Sequence, residues 1–464
     1  MNKITLSIVL AALYCSSSMA DEAALQAQIE NLLKRIEQLE NKQMQTQKTQ
    51  DELKASQETV KEEQTAQADL ISKVNAQSAN DNIKWDIDFR SAVHSIAYTD
   101  SNGKTQDNTF FTNRLWLGLG SKVNDDLFIN GQIAVYNYWG AEPEDMALND
   151  NWRSSSRPHD LSLRLRQAYF VYRIGKDWTI PMNFSVGRRA AVDGFLANHR
   201  EGNEKPGSPL AHITNMEVDG AMMQFDFDHI LFPGSYLKIV YGRSHDPMST
   251  ATYQTMPYLT DNTGGDDTVD FIVLPMSLYN DGQHNLMAEY AHISNVKGDS
   301  MKAAGTAHLG AISYQLDGLN DDNEFLEDTT FFASVAFSQT HPDRGIPMLG
   351  SLDDKNGYSF WTGLIFPDLI TDGGKFGLEY NHGTKYWTPM TWAEDSMTGS
   401  KVAIRGDAYE AYWNIPIVGK NLTAQLRYTY LDHDYSANTS YMVDPNIQNL
   451  NHSQELRAFV RYRY

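Results

Sequence analysis

Two hydrophobic periods divide the chain. Residues 22–76 contain neither Pro nor Gly, and apolar positions recur there with 4-3 spacing. One set runs Ile29, Ile36, Gln43, Gln50, Gln57, Gln64 and Ile71; the other runs Leu25, Leu32, Leu39, Thr46, Leu53, Val60, Gln67 and Val74. A sustained seven-residue repeat predicts a coiled coil, and the run of core glutamines trades stability for register. At ~1.5 Å per residue such a helix spans ~75 Å. From Lys84 onward the period becomes 2. Trp85, Ile87 and Phe89 alternate with Asp86, Asp88 and Arg90; Leu422, Ala424, Leu426, Tyr428 and Tyr430 alternate with Thr423, Gln425, Arg427 and Thr429. Sixteen such segments are predicted as strands: 84–98, 111–123, 127–139, 160–174, 178–190, 212–227, 235–244, 267–276, 283–293, 306–316, 329–339, 356–366, 374–388, 401–415, 420–433 and 453–464.

Strands of this length, apolar on one face and polar on the other, fit an all-β antiparallel transmembrane barrel better than a soluble sandwich, whose strands are shorter. The connections agree. Short ones such as Asn124–Asp126, Gly175–Asp177 and Pro416–Val418 alternate with long ones such as Gly140–His159, Ala191–Ala211, His245–Asp266, Pro389–Ser400 and Asp434–His452, with 317–328 as a long exception among the short. The shorter intervals Thr99–Phe110 and Ser294–Gly305 are also read as external loops, and Gly220 as a bulge that switches the outward face on strand six. An even strand number closes the sheet and leaves no edge.

At the start, Lys3, the apolar stretch Ile4–Tyr14 and Ser18-Met19-Ala20 read as a signal peptide over 1–20. The expected organisation is then signal peptide 1–20, periplasmic coiled coil 21–76, linker 77–83 and outer-membrane barrel 84–464. Composition narrows this further. The one cysteine of the chain, Cys15, falls inside the leader, so the mature chain has no disulfide and no thiolate metal site. With 38 Lys+Arg against 59 Asp+Glu the net charge is −21, which argues against nucleic acid as a partner. No GxSxG or HExxH motif occurs, so no catalytic residue, metal ligand or cofactor is expected.

The stretches Val186-Gly187-Arg188-Arg189 with Asp193-Gly194, Val218-Asp219-Gly220, Gly377-Leu378-Glu379-Tyr380-Asn381-His382 through Trp387, and Arg405-Gly406-Asp407-Ala408-Tyr409-Glu410 carry a resemblance. With the terminal amphipathic strand that ends in Tyr464, they make the chain resemble Gram-negative outer-membrane porins. More specifically it resembles a proteobacterial porin-like family with a coiled coil before the barrel. The resemblance implies a water-filled channel for small hydrophilic solutes or ions, a homotrimer, contact with outer-membrane lipid, and recognition of the last strand by the barrel assembly machinery. It also implies that the loop after strand five folds into the lumen. The alternative is a structural barrel that sheathes a partner, its coil docking peptidoglycan or a periplasmic protein.

With the apolar face toward lipid, Arg90, Arg114, Arg164, Arg166, Arg427, Arg457, Arg461 and Arg463 point inward, together with Glu289 and Glu379. The pore-lining candidates are the first seven arginines and Glu379. In the loop after strand five, Asp193, Arg200, Glu201 and Glu204 are the constriction candidates; Glu217 and Asp219 follow on strand six. A basic wall across from an acidic loop would set up a transverse field.

Overall fold

The computed structural model describes residues 83–138, 162–244, 269–298, 302–320, 322–391, 395–436, 444–447 and 450–464. The signal peptide, the coiled coil and all but the last residue of the linker lie outside these residues.

Sixteen strands form one closed antiparallel sheet. They are β1 Ile83–Asp100, β2 Thr105–Lys122, β3 Leu127–Tyr138, β4 Ser162–Ile174, β5 Met182–Ala191, β6 Thr214–Asp226, β7 Tyr236–Ser244 and β8 Val269–Asn280, followed by β9 His284–Lys297, β10 Ala303–Asp317, β11 Thr330–Pro342, β12 Lys355–Pro367, β13 Lys375–Gly383, β14 Gly406–Val418, β15 Leu422–His433 and β16 Leu450–Arg463. Each pairs with its neighbour in sequence, and β1 pairs with β16 from Asp88↔Arg463 to Asp100↔Leu450. The last residue joins the seam: Ile87 N–H donates to Tyr464 O at 3.1 Å, and Tyr464 N–H to Ile87 O at 2.9 Å. Closure leaves no sheet edge, which is what a hydrocarbon surround requires.

The sheet is apolar outside and charged inside. On β1, Trp85, Ile87 and Phe89 are 64%, 37% and 42% exposed, whereas Asp88 and Arg90 between and beyond them are buried. The same inversion runs along β16, where Leu456 and Val460 are exposed and Glu455, Arg457 and Arg461 are buried. A soluble protein would bury the leucines and expose the arginines, so the solvent outside this wall is lipid.

Connections alternate between two ends, here called the turn end, where β1 begins, and the loop end. Two of the expected long loops are short. Residues 101–104 and 298–302 span only a few positions, because β1 and β2 stay paired out to Thr99↔Thr105 and β9 and β10 out to Lys297↔Ala303. The expected bulge at Gly220 is also absent: β5 and β6 pair without a register shift from Met182↔Phe225 to Ala191↔Met216. Gly187, Gly220 and Gly242 instead stand abreast on β5, β6 and β7. A Cβ at Gly220 would run into the carbonyl of Tyr241, and one at Gly187 into that of Ala168. These glycines let backbones approach; they do not insert a residue. A real bulge lies on β4, where Gln132 pairs with Gln167 and Ile133 with Leu165, leaving Arg166 as the extra residue.

Candidate functional site: a lumen crossed by two inward loops

Among the described residues, two loop-end connections fold into the barrel. The first, residues 192–213, carries a one-turn helix, Ala197–Arg200, and a small parallel ladder between Gly194–Phe195 and Gly207–Leu210. Asp193 and Leu196 take positive φ values of 52° and 81° to make its turns. The second comprises residues 384–391 and 395–405 among those described, and the sequence reading puts its middle, 389–400, in an external loop between two strands. It enters the lumen, and Met390–Thr391 pair in parallel with Thr214–Asn215 at the start of β6. Trp387, Met390, Val402 and Ile404 are 0–3% exposed.

Both loops sit on an apolar half of the inner wall. Phe195, Leu196, Leu210 and Ile213 of the first loop and Trp387, Met390 and Val402 of the second share one cluster with Phe271, Val273, Ile293, Phe332, Trp361 and Ile365 of β8, β9, β11 and β12. These strands read apolar on both faces: Phe271 and Val273 are buried while Ile272 is 44% exposed. An apolar lumenal face has to be covered, and the loops cover it.

Polar pins hold them. His212 is fully buried; Ser334 lies 2.7 Å from Nδ1 and Ser359 2.9 Å from Nε2, and the edges of Trp361 and Trp387 flank its ring. Burial away from charge lowers its pKa to about 3, so the ring is neutral. Glu289 of β9 accepts Leu210 N–H at 2.7 Å and the Thr214 hydroxyl at 2.6 Å. Arg405 donates to the carbonyl of Trp387 at 2.9 Å and to the Thr388 hydroxyl at 2.9 Å.

The other half of the wall is basic. Arg90, Arg114, Arg427, Arg457 and Arg461 come together on β1, β2, β15 and β16, each at most 4% exposed. Arg461 is bound to Asp88 of the adjacent strand, and Arg114 also reaches Asp88, at 3.3 Å. Arg427 has Glu455 at 3.7 Å and Glu201 and Glu410 at 3.9 Å each. Glu379 is buried on β13, where it accepts Trp361 Nε1–H at 2.9 Å and faces Lys401 of the second loop at 2.6 Å; Lys401 also contacts Glu410. Arg166 lies further round, 3.0 Å from Glu217 and 2.6 Å from Gln132. With Arg114 it sandwiches Trp116, the two guanidinium carbons 3.8 and 3.6 Å from the ring centre. Arg164 is in register with inward Ala134 but exposed, apart from the cluster.

The constriction candidates separate along the lumen. Arg200 and Glu201 are buried at the end of the one-turn helix and bonded to each other at 2.9 Å. The helix-end carbonyls meet donors from the wall: Asn414 to His199 O at 3.0 Å, Gln425 to Arg200 O at 2.6 Å, and Arg461 and Arg463 to Glu201 O at 3.4 and 2.9 Å. His199 O also accepts Gly202 N–H at 3.0 Å just beyond the helix, and the wall adds side-chain donors to carbonyls that a helix end leaves short of partners. Burial alone would raise the Glu201 carboxyl, but Arg200, Arg457 and Arg427 hold it below the usual range. Asp193 is moved the other way, by burial and then by Glu201. Glu204 is exposed and paired to Lys420, in the turn between β14 and β15, so it stands at the turn-end mouth. Asp219 does not join the lumen. Val218 packs on the inner cluster, which puts Asp219 on the outer face, where Arg188 grips it at 2.7 and 2.8 Å.

Asp395, in the second loop, was not singled out from the sequence. Its carboxylate meets Arg90, Arg114 at 3.4 Å and Arg457 at 3.3 Å, and its carbonyl accepts from Arg427 at 2.9 Å and Arg457 at 3.1 Å. Burial would raise its pKa, but Arg90 and Arg457 hold it well below the carboxylate range. A basic wall is therefore present, but its acids touch it. Opposite charges in contact cancel locally and leave little field across the lumen, contrary to the expected transverse arrangement.

A family model described as a protein of unknown function (DUF3373) matches residues 104–460. The chain belongs to the DUF3373 family. The match starts at the hairpin after β1 and ends within β16, so in this DUF3373 protein it covers both lumenal loops. No curated protein matches the chain by sequence. Solved structures to which it is similar include an anion-selective porin from Comamonas acidovorans, with 12% identity, 82% of this chain and 99% of that one covered, and a TM-score of 0.49. Pseudomonas putida OprB gives 11% identity, 84% and 96% coverage, and a TM-score of 0.48. The channel DcaP of Acinetobacter baumannii gives 14%, 82%, 97% and 0.44.

Proposed function

We propose that this DUF3373 protein is a Gram-negative outer-membrane channel through which small hydrophilic solutes or ions diffuse passively. One observation carries the reading: the closed sixteen-stranded wall is apolar outside and charged inside. Apolar outward faces on a closed sheet match a bilayer, and inward arginines and carboxylates match a hydrated lumen. The pore-lining role of Arg90, Arg114, Arg164, Arg166, Arg427, Arg457, Arg461 and Glu379, and the constricting role of Asp193, Arg200 and Glu201, belong to this proposal. A sheath around a partner protein is not favoured, because two of the chain's own loops take up lumenal space that a partner would need.

The same reading puts the turn end and the coiled coil of residues 21–76 in the periplasm, makes the protein a homotrimer, and gives the assembly machinery the last strand to recognise. The coil then reaches peptidoglycan or a periplasmic protein. Reconstitution in planar bilayers tests the core of it. Stepwise ohmic conductance is expected, with reversal potentials that shift toward cations when Arg427 and Arg457 are both changed to Ala. A folded barrel that never conducts would sink the channel, and unchanged selectivity in the double variant would remove the arginine wall from the filter. A native complex that keeps its subunit number without residues 22–76 would show that the barrel sets the assembly.

A further inference from the structure

The buried cations of the wall differ in where their counter-charges come from. Arg461 is neutralised by Asp88 on the neighbouring strand, and Arg427 by Glu410 and Glu455 on the strands beside it together with Glu201 of the first loop. Arg90 and Arg457 are 3% and 0% exposed, and among the described residues Asp395 is the one carboxylate within ion-pair distance of either. That carboxylate is carried by a loop. Its side chain is 25% exposed, so one side of it faces lumenal space.

The donors around it are not used up. A guanidinium has five N–H groups. Nε of Arg90, Arg114, Arg427 and Arg457, and one terminal nitrogen of Arg427, are buried with no hydrogen-bond acceptor among the described residues. Unmet buried donors cost about 1–3 kcal/mol each, so one carboxylate on a short side chain leaves the four-arginine cradle under-filled. Phe459 lies between Arg90 and Arg457, its ring centre 5.5 and 5.2 Å from their guanidinium carbons, and gives the cradle an apolar floor.

The rest of the loop is tied down without Asp395. Ser396 Oγ–H and Met397 N–H donate to Glu455 at 3.3 and 3.2 Å, and Tyr98 O–H donates to Met397 O at 2.9 Å. The Asp395 side chain can therefore rotate out while the segment after it stays attached.

We propose that the cradle of Arg90, Arg114, Arg427 and Arg457 is a binding site for a carboxylate-bearing solute, and that Asp395 fills it as an internal counter-ion which the solute displaces. The proposal rests on the channel reading, since the solute arrives through the lumen. A free dicarboxylate brings more acceptor oxygens than one aspartate and can meet the orphaned donors as well. Asp395 lowers the apparent affinity by competing for the same arginines, and it offsets part of the cradle's charge when no solute is present.

Succinate is the probe, titrated calorimetrically into the full-length protein in detergent, with glucose as the neutral control. Asp395→Asn removes the charge at nearly constant shape, and Asp395→Ser is the second variant should Asn disturb folding. Succinate is expected to bind the variant at least about tenfold more tightly than wild type, and adding Arg90→Gln and Arg457→Gln is expected to abolish the gain. Equal affinity in wild type and variant, or no succinate binding in either, overturns the proposal. Bilayer recordings on the same preparations keep the two readings apart. A gain in succinate affinity without conductance removes the channel and leaves the cradle; conductance without the gain does the reverse.

Discussion

Acidification should loosen the first loop through His212. Its ring is fully buried between two tryptophans and two serine hydroxyls, with a pKa lowered from 6.5 to about 3. The unfolded or detached loop then binds a proton in a range where the docked loop does not, so stability rises with pH across that window. The contribution is complete above pH 6.5 and is lost as pH falls toward 3. Each pH unit in the window is worth about 1.36 kcal/mol. At pH 4.5 docking is weaker by about 2.7 kcal/mol, and below pH 3 by about 5 kcal/mol. The loss saturates at the free energy that holds the loop, because beyond that point the loop leaves and the ring is protonated in water. Urea unfolding in phospholipid vesicles between pH 7.5 and 4.5 reads this, with wild type compared against His212→Ala. The variant is less stable at pH 7.5, having lost two hydrogen bonds and gained a cavity, but its pH slope is shallower. Other titrating groups move both proteins alike, so the difference in slope belongs to His212. Parallel curves would refute the assignment of a neutral, pH-sensitive pin.

Two further perturbations address the second loop and the wall. Lys401→Met removes the cation between Glu379 and Glu410; breaking a buried pair of this kind costs about 3–5 kcal/mol, and hydrogen exchange should rise over residues 384–405 while β1 and β16 stay protected. Unchanged exchange in that loop would mean the lysine does not hold it. Gly220→Val drives a side chain into the Tyr241 carbonyl, and over-packing of this kind costs about 1–3 kcal/mol; a lowered denaturation midpoint is expected, and wild-type stability would show that the three-glycine row has slack.

What the sequence disclosed follows from which features repeat. Outward faces repeat every second residue, so Trp85, Ile87 and Phe89 were legible as lipid-facing, and the inward arginines of β1, β2, β15 and β16 followed by parity. All sixteen strands were legible for the same reason, with errors at the ends. The second loop was not, because a connection has no period. Its residues 389–400 look polar and solvated, and what draws it inward lies elsewhere in the chain. Two signals were nevertheless present. Val402-Ala403-Ile404 is apolar in a stretch that the alternation predicts as the start of a strand, although strand pairing begins only at Gly406. Phe271-Ile272-Val273-Leu274 is apolar on both faces, which a lipid-facing strand does not need unless something covers its lumenal side. The reading of Gly220 failed for a related reason. A glycine in a strand signals either a bulge or a close approach, and register alone distinguishes them, since it places Gly187 and Gly242 beside it.

The electrostatics carry the same lesson further. Net charge is a sum over positions that never meet. The chain is acidic overall at −21, yet among the described residues Arg90 and Arg457 rely on a single loop carboxylate, and Arg427 has three carboxylates within 4 Å. Buried ion pairs return their desolvation cost only when geometry and hydrogen bonds are complete. Here the strand acids, Asp88, Glu410 and Glu455, are matched to fixed neighbours, while the loop acid is matched to cations that keep spare donors. A wall built only for stability would place the counter-charge of Arg90 and Arg457 on the wall itself, as Asp88 is placed for Arg461. Carrying that charge on a strap whose next residues have separate attachments makes it a counter-ion that can leave without unpairing a strand.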